Sequence, residues 1–194
     1  MKKFKNTISR TILVETENID TDQIIPARFL KTTERSGLGK YLFYNWRHDE
    51  KGCKKKSVFN GKKIKGLSIL ISAANFGTGS SREHAVWALM DYGFKAIISS
   101  EFGDIFYNNA LKNGLLCIKL KTKEMNIISG IISKNPMYVI KVELKNQIVE
   151  IKENKLQFYF EIDSFKKSCL LLGVDELGYL LSHKDKISAY EKRI

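Results

Sequence analysis

Residues 75–89, with the sequence NFGTGSSREHAVWAL, are the stretch around which the rest of this chain is organised. The apolar run 67–71 precedes them and has the composition of a short buried strand. Two glycines, Gly77 and Gly79, then allow a tight turn, and apolar residues at helical spacing follow. The stretch therefore predicts a strand, a glycine turn and a helix, with backbone N–H groups and the positive end of the helix dipole beside residues 80–82. Such an arrangement favours the binding of an anion.

The same residues also have a purely structural interpretation. Ser80 and Glu83 fit the S-x-x-E capping box, in which the two side chains only satisfy backbone N–H groups at a helix start. Glycine is likewise an ordinary turn former. The local pattern alone leaves the choice between a helix cap and an anion site open.

Three ordered blocks in the first half of the chain resemble a known family, the small subunits of 3-isopropylmalate dehydratase, which correspond to the swivelling domain of aconitase. One block is NFGxGSSREHA at residues 75–85, and another is NIDTDQIIPARFL at residues 18–30. The third extends from Arg35 to Arg47 and matches the bacterial form. The resemblance implies an α/β fold of the β/β/α swivelling type, with a mixed sheet and flanking helices, as a single domain over residues 1–194.

The resemblance also implies a hydro-lyase activity similar to that of aconitase. In leucine biosynthesis, such an enzyme interconverts 2-isopropylmalate and 3-isopropylmalate by dehydration and rehydration through 2-isopropylmaleate. An iron–sulfur cluster acts on the leaving hydroxyl, while a protein base removes the carbon-bound proton. Because that proton is weakly acidic, the base must be strong.

The family resemblance assigns the cluster to another chain. The three cysteines here lie far apart and form no C-x-x-C pair, so we expect this chain to bind no cofactor and no metal. We expect the [4Fe-4S] cluster on a separate large subunit. The enzyme would then be a heterodimer with its active site between the subunits, and this chain alone would be inactive.

The motif implies roles for particular side chains. Ser80 would be the base, acting as an alkoxide favoured by helix N-terminal N–H groups and by Arg82. Ser81 and Arg82 would bind a substrate carboxylate, which suits the two parallel donors of a guanidinium. Arg35, at the start of the third block, would be a second carboxylate clamp, with Arg28 as the competing candidate.

Three further residues have a supporting role in this hypothesis. Asp20 and Asp22 would orient an arginine or the serine loop, although turn capping explains acidic residues at such positions equally well. His84 would join a hydrogen-bond chain to the site, while a packed or exposed histidine is the more frequent situation. Two departures from the family pattern, Thr78 for cysteine and Val86 for proline, involve neither the base nor a clamp, so we expect activity to survive.

Composition argues against several other classes. With 43% hydrophobic residues and no apolar segment approaching about 18 residues, the chain is expected to be globular and cytoplasmic. Its 33 Lys and Arg against 21 Asp and Glu give a net charge of +12. The basic residues are spread along the whole length, which disfavours a nucleic-acid interface. An anionic dicarboxylate or an acidic subunit would benefit from the same field, and a biased genome composition would produce the same excess.

Other functions remain as alternatives. A nucleotide- or phosphate-binding module would use the same glycine turn, but the Walker lysine is missing and Arg82 occupies the third glycine place of G-x-G-x-x-G. A basic RNA-binding protein is the other rival class. Within the family, homoaconitate and citraconate or methylmalate are alternative substrates, and the sequence does not reveal which loop reads the substrate side chain.

From residue 67 onwards, the hydrophobic pattern predicts alternating strands and helices, and hence parallel strands with right-handed crossovers. Predicted strands are 8–15, 67–72, 96–99, 115–118, 138–144, 148–151 and 156–160. Predicted helices are 82–92, 102–112, 123–133, 163–172 and a last segment, 176–191, interrupted near Gly178. The polar, glycine-rich residues 32–66 are interpreted as a long surface excursion. Their aromatic patch, Tyr41 to Trp46, would be an apolar wall for the isopropyl group, core, or a subunit interface.

Overall fold

The computed structural model describes residues 1–31, 34–61 and 66–192. A parallel sheet has the strand order β2-β3-β4-β5, and an antiparallel sheet has the order β1-β6-β7-β8. The strands are β1 Thr7–Ser9, β2 Thr11–Val14, β3 Ile69–Ser72, β4 Ala96–Ser99, β5 Leu116–Lys119, β6 Ile140–Glu143, β7 Ile148–Ile151 and β8 Leu156–Tyr159. The helices are α1 Thr21–Ile24, α2 Tyr44–Arg47, α3 Glu83–Tyr92, α4 Asp104–Asn113, α5 Thr122–Lys134, α6 Ser164–Leu172, α7 Glu176–Leu181 and α8 Lys184–Glu191.

The parallel sheet is buried on both faces, which explains why its strands read as continuous apolar runs. Side chains alternate across it, so Leu70, Ile97 and Cys117 belong to one core cluster, together with α3 and the first part of the chain. Their neighbours on the same strands, Ile71 and Ile98 among them, pack with the antiparallel sheet, α5 and α6 in a second cluster. The predicted mixed α/β fold with parallel crossovers is confirmed.

The predicted strand 8–15 is in fact two strands in two different sheets. β1 pairs antiparallel with β6, while β2 pairs parallel with β3, and the chain changes sheet at Arg10. The hydroxyl of Ser9 accepts a hydrogen bond from the backbone N–H of Ser68 at 3.0 Å and joins the two sheets at this point. A composition rich in β-branched residues predicts extended backbone but does not reveal which sheet each half joins.

The helical segment 176–191 is interrupted at Ser182 and His183, not near Gly178. The Asp175 carboxylate caps α7 by accepting the N–H of Gly178 at 2.8 Å. The glycine therefore lies in the first turn of a helix and does not end one.

The segment predicted as a surface excursion contributes to the core. Leu38, Leu42, Phe43 and Phe59 are at most 2% exposed and belong to the cluster that contains α3. For Phe43, core was one of the three interpretations of the aromatic patch. The irregular spacing of Leu38, Leu42 and Phe59 among glycines and lysines gives no helical or strand period, which is why the sequence did not predict their burial. Residues 32, 33 and 62–65 of this segment lie outside the described part.

Among the described residues, no helix is long and apolar enough to cross a bilayer.

Candidate functional site

The first two blocks singled out in the sequence lie side by side beyond the carboxyl end of β3. The carbonyl of Ile19 accepts hydrogen bonds from the backbone N–H groups of Gly77 at 2.7 Å and Thr78 at 3.2 Å. The N–H of Thr21 in turn donates to the carbonyl of Thr78 at 2.9 Å. Residues separated by almost sixty positions thus form a short parallel bridge, which fixes the serine loop against α1.

Gly77 is required at its position for two reasons. Its φ of +79° lies in the left-handed region that side chains with a Cβ rarely adopt. A Cβ added there would also lie 2.2 Å from Cγ of Phe106, which packs its ring directly against the turn. The glycine therefore allows the loop to pack closely on α4.

Helix α3 begins at Glu83, one residue later than predicted, with Arg82 as its N-cap and no side-chain cap hydrogen bond. The capping-box interpretation of Ser80 and Glu83 is therefore wrong. The Glu83 carboxylate instead accepts a hydrogen bond from Nδ2 of Asn113, at the end of α4, at 2.6 Å. Glu83 therefore interacts with α4 and does not cap α3. The S-x-x-E motif was misleading because it considers only residues that are neighbours in sequence.

Ser80 and Ser81 are both exposed on the loop before α3. The hydroxyl of Thr21 lies 3.1 Å from the Ser80 carbonyl oxygen and 3.4 Å from Ser80 Oγ. Thr21 is only 2% exposed, so its hydroxyl is held by the protein and not by solvent. Sequence reasoning missed Thr21, and the only available signal was its place between the two aspartates of the second block.

Arg82 forms a two-point ion pair with Asp22. Nη1 lies 2.5 Å from Oδ1 without good hydrogen-bond geometry, and Nη2 donates to Oδ2 at 3.0 Å. The hydrogen bond from Arg82 is the main reason why the pKa of the Asp22 carboxyl is lowered, and the same bond raises the pKa of the guanidinium. The Arg82 side chain is 21% exposed, although its Nη1 atom is buried, so the side chain is only partly accessible.

The two aspartates of the second block differ in their roles. Asp20 is the N-cap of α1 and accepts the N–H of Gln23 at 2.7 Å, which is turn capping. Asp22 accepts the N–H of Ala27 at 2.9 Å and also orients Arg82, so both interpretations apply to it.

The Arg35 side chain lies against α3. Its guanidinium carbon lies 5.2 Å from the ring centroid of Trp87, a residue of the first half of the helix. Arg28, the competing candidate, donates to Asn45 at 2.6 Å and stacks on Phe29 with 4.8 Å to the ring centroid. Arg82 is therefore the N-cap of α3 and Arg35 contacts a residue of the same helix, while Arg28 contacts residues of the aromatic patch and its neighbours.

His84 packs its ring against Trp87, with 4.7 Å between the centroids. His84 is thus partly buried and packed, which is the more frequent situation of a histidine. Within the aromatic patch, Phe43 is completely buried, while Tyr41 stacks on Phe29 at 4.1 Å and stays partly exposed. Phe43 is thus core and is excluded as a wall for a substrate.

The described cysteines do not suit an iron–sulfur cluster. Cys53 is exposed in a loop, Cys117 is enclosed in β5, and Cys169 lies in α6. Burial raises the pKa of the Cys117 thiol, which disfavours the thiolate that a metal requires. Within the described ranges, no group of three or more His, Cys, Asp or Glu side chains is arranged to hold a metal ion.

Comparison with known proteins gives the class. Residues 1–123 match the family model described as the aconitase C-terminal domain. The crystal structure of 3-isopropylmalate dehydratase from Methanocaldococcus jannaschii superposes with a TM-score of 0.70 at 26% identity, over 96% of this chain and 99% of that one. The chain therefore belongs to the aconitase C-terminal domain family, as predicted.

The particular branch follows from closer relatives. The 3-isopropylmalate dehydratase small subunit of Karelsulcia muelleri is 50% identical over 100% of this chain and 98% of its own length. The protein of the same name from Brevibacillus brevis is 46% identical over 91% of each chain. Within the family, the chain thus belongs to the small subunits of 3-isopropylmalate dehydratase, a hydro-lyase of leucine biosynthesis.

Proposed function

We propose that residues 77–82 and Arg35 form one half of a dicarboxylate site, and that a large subunit supplies the other half. The observation that carries this proposal is the ion pair between Arg82 and Asp22, which fixes the guanidinium of the residue that directly follows two exposed serines in the chain. A carboxylate that approaches Ser81 and Arg82 would meet a hydroxyl, a cation and the start of α3, all of which favour negative charge.

Ser80 is the base in this proposal, and its Oγ receives the proton from the substrate carbon. A serine hydroxyl is a weak base, so its anion must be favoured by its surroundings. The Thr21 hydroxyl donates to the Ser80 carbonyl and lies 3.4 Å from Ser80 Oγ, so a rotation of its single proton would make it a donor to that anion. The start of α3 has no side-chain cap, which leaves its dipole directed at the serine loop.

The substrates in this proposal are 2-isopropylmalate and 3-isopropylmalate, and the reaction takes place in the cytoplasm. Arg82 and Ser81 bind one carboxylate and Arg35 binds the other, while Asp22 holds Arg82 in place. Asp20 supports the site through the cap of α1, and His84 through its contact with Trp87. The [4Fe-4S] cluster belongs to the large subunit, and the two chains form a heterodimer.

The test is to co-express the chain with a large subunit and to follow alkene absorbance anaerobically with 3-isopropylmalate. Ser80→Ala should lower kcat by at least about 100-fold, which is the low end of general base catalysis. Ser81→Ala should instead act mainly on KM. Ser164→Ala, which changes an exposed serine at the start of α6, is the matched control and should leave both constants unchanged.

Two results would contradict the proposal. Full dehydratase activity of the cluster-free chain without a partner would exclude the shared site. A wild-type kcat for Ser80→Ala in the complex would exclude Ser80 as the base and leave it a loop residue.

A further inference from the structure

We propose that Trp87 is a positioning residue for Arg35: its indole ring is the platform that holds this guanidinium at the substrate side of α3. The inference rests on the proposed function, in which Arg35 binds a substrate carboxylate. Arg35 is exposed, and an exposed arginine side chain samples many rotamers. The contact with the Trp87 ring, at 5.2 Å to the centroid, is a cation–π interaction that restricts this freedom.

The ring of Trp87 is itself fixed by hydrogen bonding. Its Nε1–H donates to Oδ1 of Asn113 at 3.1 Å. The amide of Asn113 cannot rotate freely, because its Nδ2 donates to Glu83 Oε1 at 2.6 Å and to the Asn109 carbonyl at 2.9 Å. An indole has only one N–H donor, so this bond selects one orientation of the ring. The platform is thus fixed by α4 and not by α3 alone.

The chain segment that carries Arg35 is anchored near the other end of the same helix. The N–H of Gly39 donates to Oδ2 of Asp91 at 2.7 Å. A Cβ at Gly39 would lie 2.7 Å from the backbone nitrogen of Tyr92, so only glycine permits this close approach. Arg35 precedes Gly39 in this segment, and its side chain contacts Trp87. Trp87 and Arg82 are about 7.5 Å apart along the helix axis, at a rise of about 1.5 Å per residue. Both guanidiniums are therefore brought to the N-terminal half of α3.

A platform of this kind affects binding more than chemistry. Holding Arg35 in place reduces the ordering required when a carboxylate arrives, and it does so equally for substrate and transition state. Loss of the platform should therefore appear in KM, with little change in kcat.

The first experiment uses the complex with the large subunit and 3-isopropylmalate. Trp87→Leu should raise KM about three- to fivefold, which corresponds to the strength of an exposed cation–π contact, with kcat changed less than about twofold. Trp87→Phe keeps an aromatic face but loses the Nε1–H that bonds to Asn113, so its KM should lie between those of the wild type and Trp87→Leu, close to that of Asn113→Ala. Asn113→Ala frees the ring without removing it and should raise KM in the same direction, which keeps the test valid even where Trp87→Leu folds poorly. Tyr159→Phe, at an exposed aromatic residue of β8, is the control and should leave KM unchanged.

A double-mutant cycle separates positioning from mere packing. In an Arg35→Met background, Trp87→Leu should cause no further rise in KM, because the group that the ring holds is already absent. A purely structural role of Trp87 would instead lower activity in either background and give additive effects.

The contact itself is measured without activity. The full chain contains two tryptophans, so 5-fluorotryptophan labelling should give two 19F resonances. Trp87→Phe assigns them, and Arg35→Met should shift the Trp87 resonance and leave that of Trp46 in place. An unshifted Trp87 resonance would overturn the inference.

The kinetic outcomes distinguish this inference from the proposed function. An unchanged KM in Arg35→Met would remove Arg35 from the site and with it the basis of the inference. A raised KM in Arg35→Met with an unchanged KM in Trp87→Leu, or additive effects in the double variant, would leave the proposed function intact and overturn the role of Trp87.

Discussion

Arg82 and Asp22 join the two sequence blocks through an ion pair that bridges sixty residues of chain, with N–O distances of 2.5 and 3.0 Å. Arg82 is the N-cap of α3, where a positive charge interacts unfavourably with the helix dipole. Asp22 offsets that charge and fixes the guanidinium plane. The pair therefore keeps a cation at a position where helix stability alone would disfavour it, which is what a carboxylate-binding residue requires.

Asp22→Asn should reduce substrate binding more than it reduces the stability of the fold. Asp22 is 54% exposed, and ion pairs at the surface contribute about 0–1 kcal/mol, so the free energy of unfolding should fall by less than about 1 kcal/mol. The KM for 3-isopropylmalate should rise several-fold, because Arg82 loses its orienting partner. Urea unfolding and steady-state kinetics measure the two quantities, with Asp185→Asn, an exposed carboxylate of α8, as the control.

The pH dependence of the same pair has a definite sign. The folded-state pKa of the Asp22 carboxyl is lowered, so its contribution to stability is present above its ordinary pKa of about 4 and is lost as the pH falls through the lower folded-state value. The stability difference between wild type and Asp22→Asn should thus be constant near neutral pH and shrink under acid conditions. A difference that grows on acidification would contradict this assignment.

Thr21→Val tests whether the buried hydroxyl positions Ser80. Valine keeps the shape of threonine but removes the donor to the Ser80 carbonyl at 3.1 Å. The loss should destabilise the fold by about 1 kcal/mol and lower kcat about five- to tenfold, since Ser80 is no longer held. Thr21→Ser retains the hydroxyl and should recover most of kcat. Equal losses of kcat in both variants would assign the effect to packing, not to the hydrogen bond.

A comparison of two helix starts tests the corrected role of Ser80. Asp163 caps α6 by accepting the N–H of Lys166 at 2.9 Å, so Asp163→Ala should cost about 1 kcal/mol of stability. Ser80→Ala should cost less than about 0.5 kcal/mol, because α3 has no side-chain cap. Urea unfolding monitored by circular dichroism gives both values. A loss at Ser80 as large as that at Asp163 would restore the capping interpretation.

The three cysteines should react at very different rates. Burial raises the pKa of the Cys117 and Cys169 thiols, so both stay protonated and unreactive at pH values well below those pKa values. Cys53 is exposed and should be alkylated first by iodoacetamide near pH 8. Intact-mass spectrometry should show one added group on the native protein and three after unfolding, and none on native Cys53→Ser.

Much of the fold could be predicted because local sequence patterns specify the positions of most helices and strands. Strands Ala96–Ser99 and Ile148–Ile151 were predicted with the bounds they have, and the predicted helices 82–92 and 102–112 correspond to α3 and α4. The predictions were wrong where the outcome depends on distant partners. The sheet change at Arg10 and the burial of Leu38 both depend on which surface lies opposite, and neither leaves a periodic signal in the local sequence.

Residue types at short spacing were enough to identify the family, the strand–glycine–helix motif and the polar groups around residues 80–82. How those groups contact one another depends on tertiary packing. In the folded chain, Arg82 forms an ion pair with Asp22, and the buried Thr21 hydroxyl donates to Ser80. Glu83 accepts a hydrogen bond from Asn113 and does not cap its own helix, and Arg35 contacts the ring of Trp87. Each of these contacts joins residues far apart in the chain. Their geometry follows from the packing of α3 against α1 and α4, which no local pattern specifies.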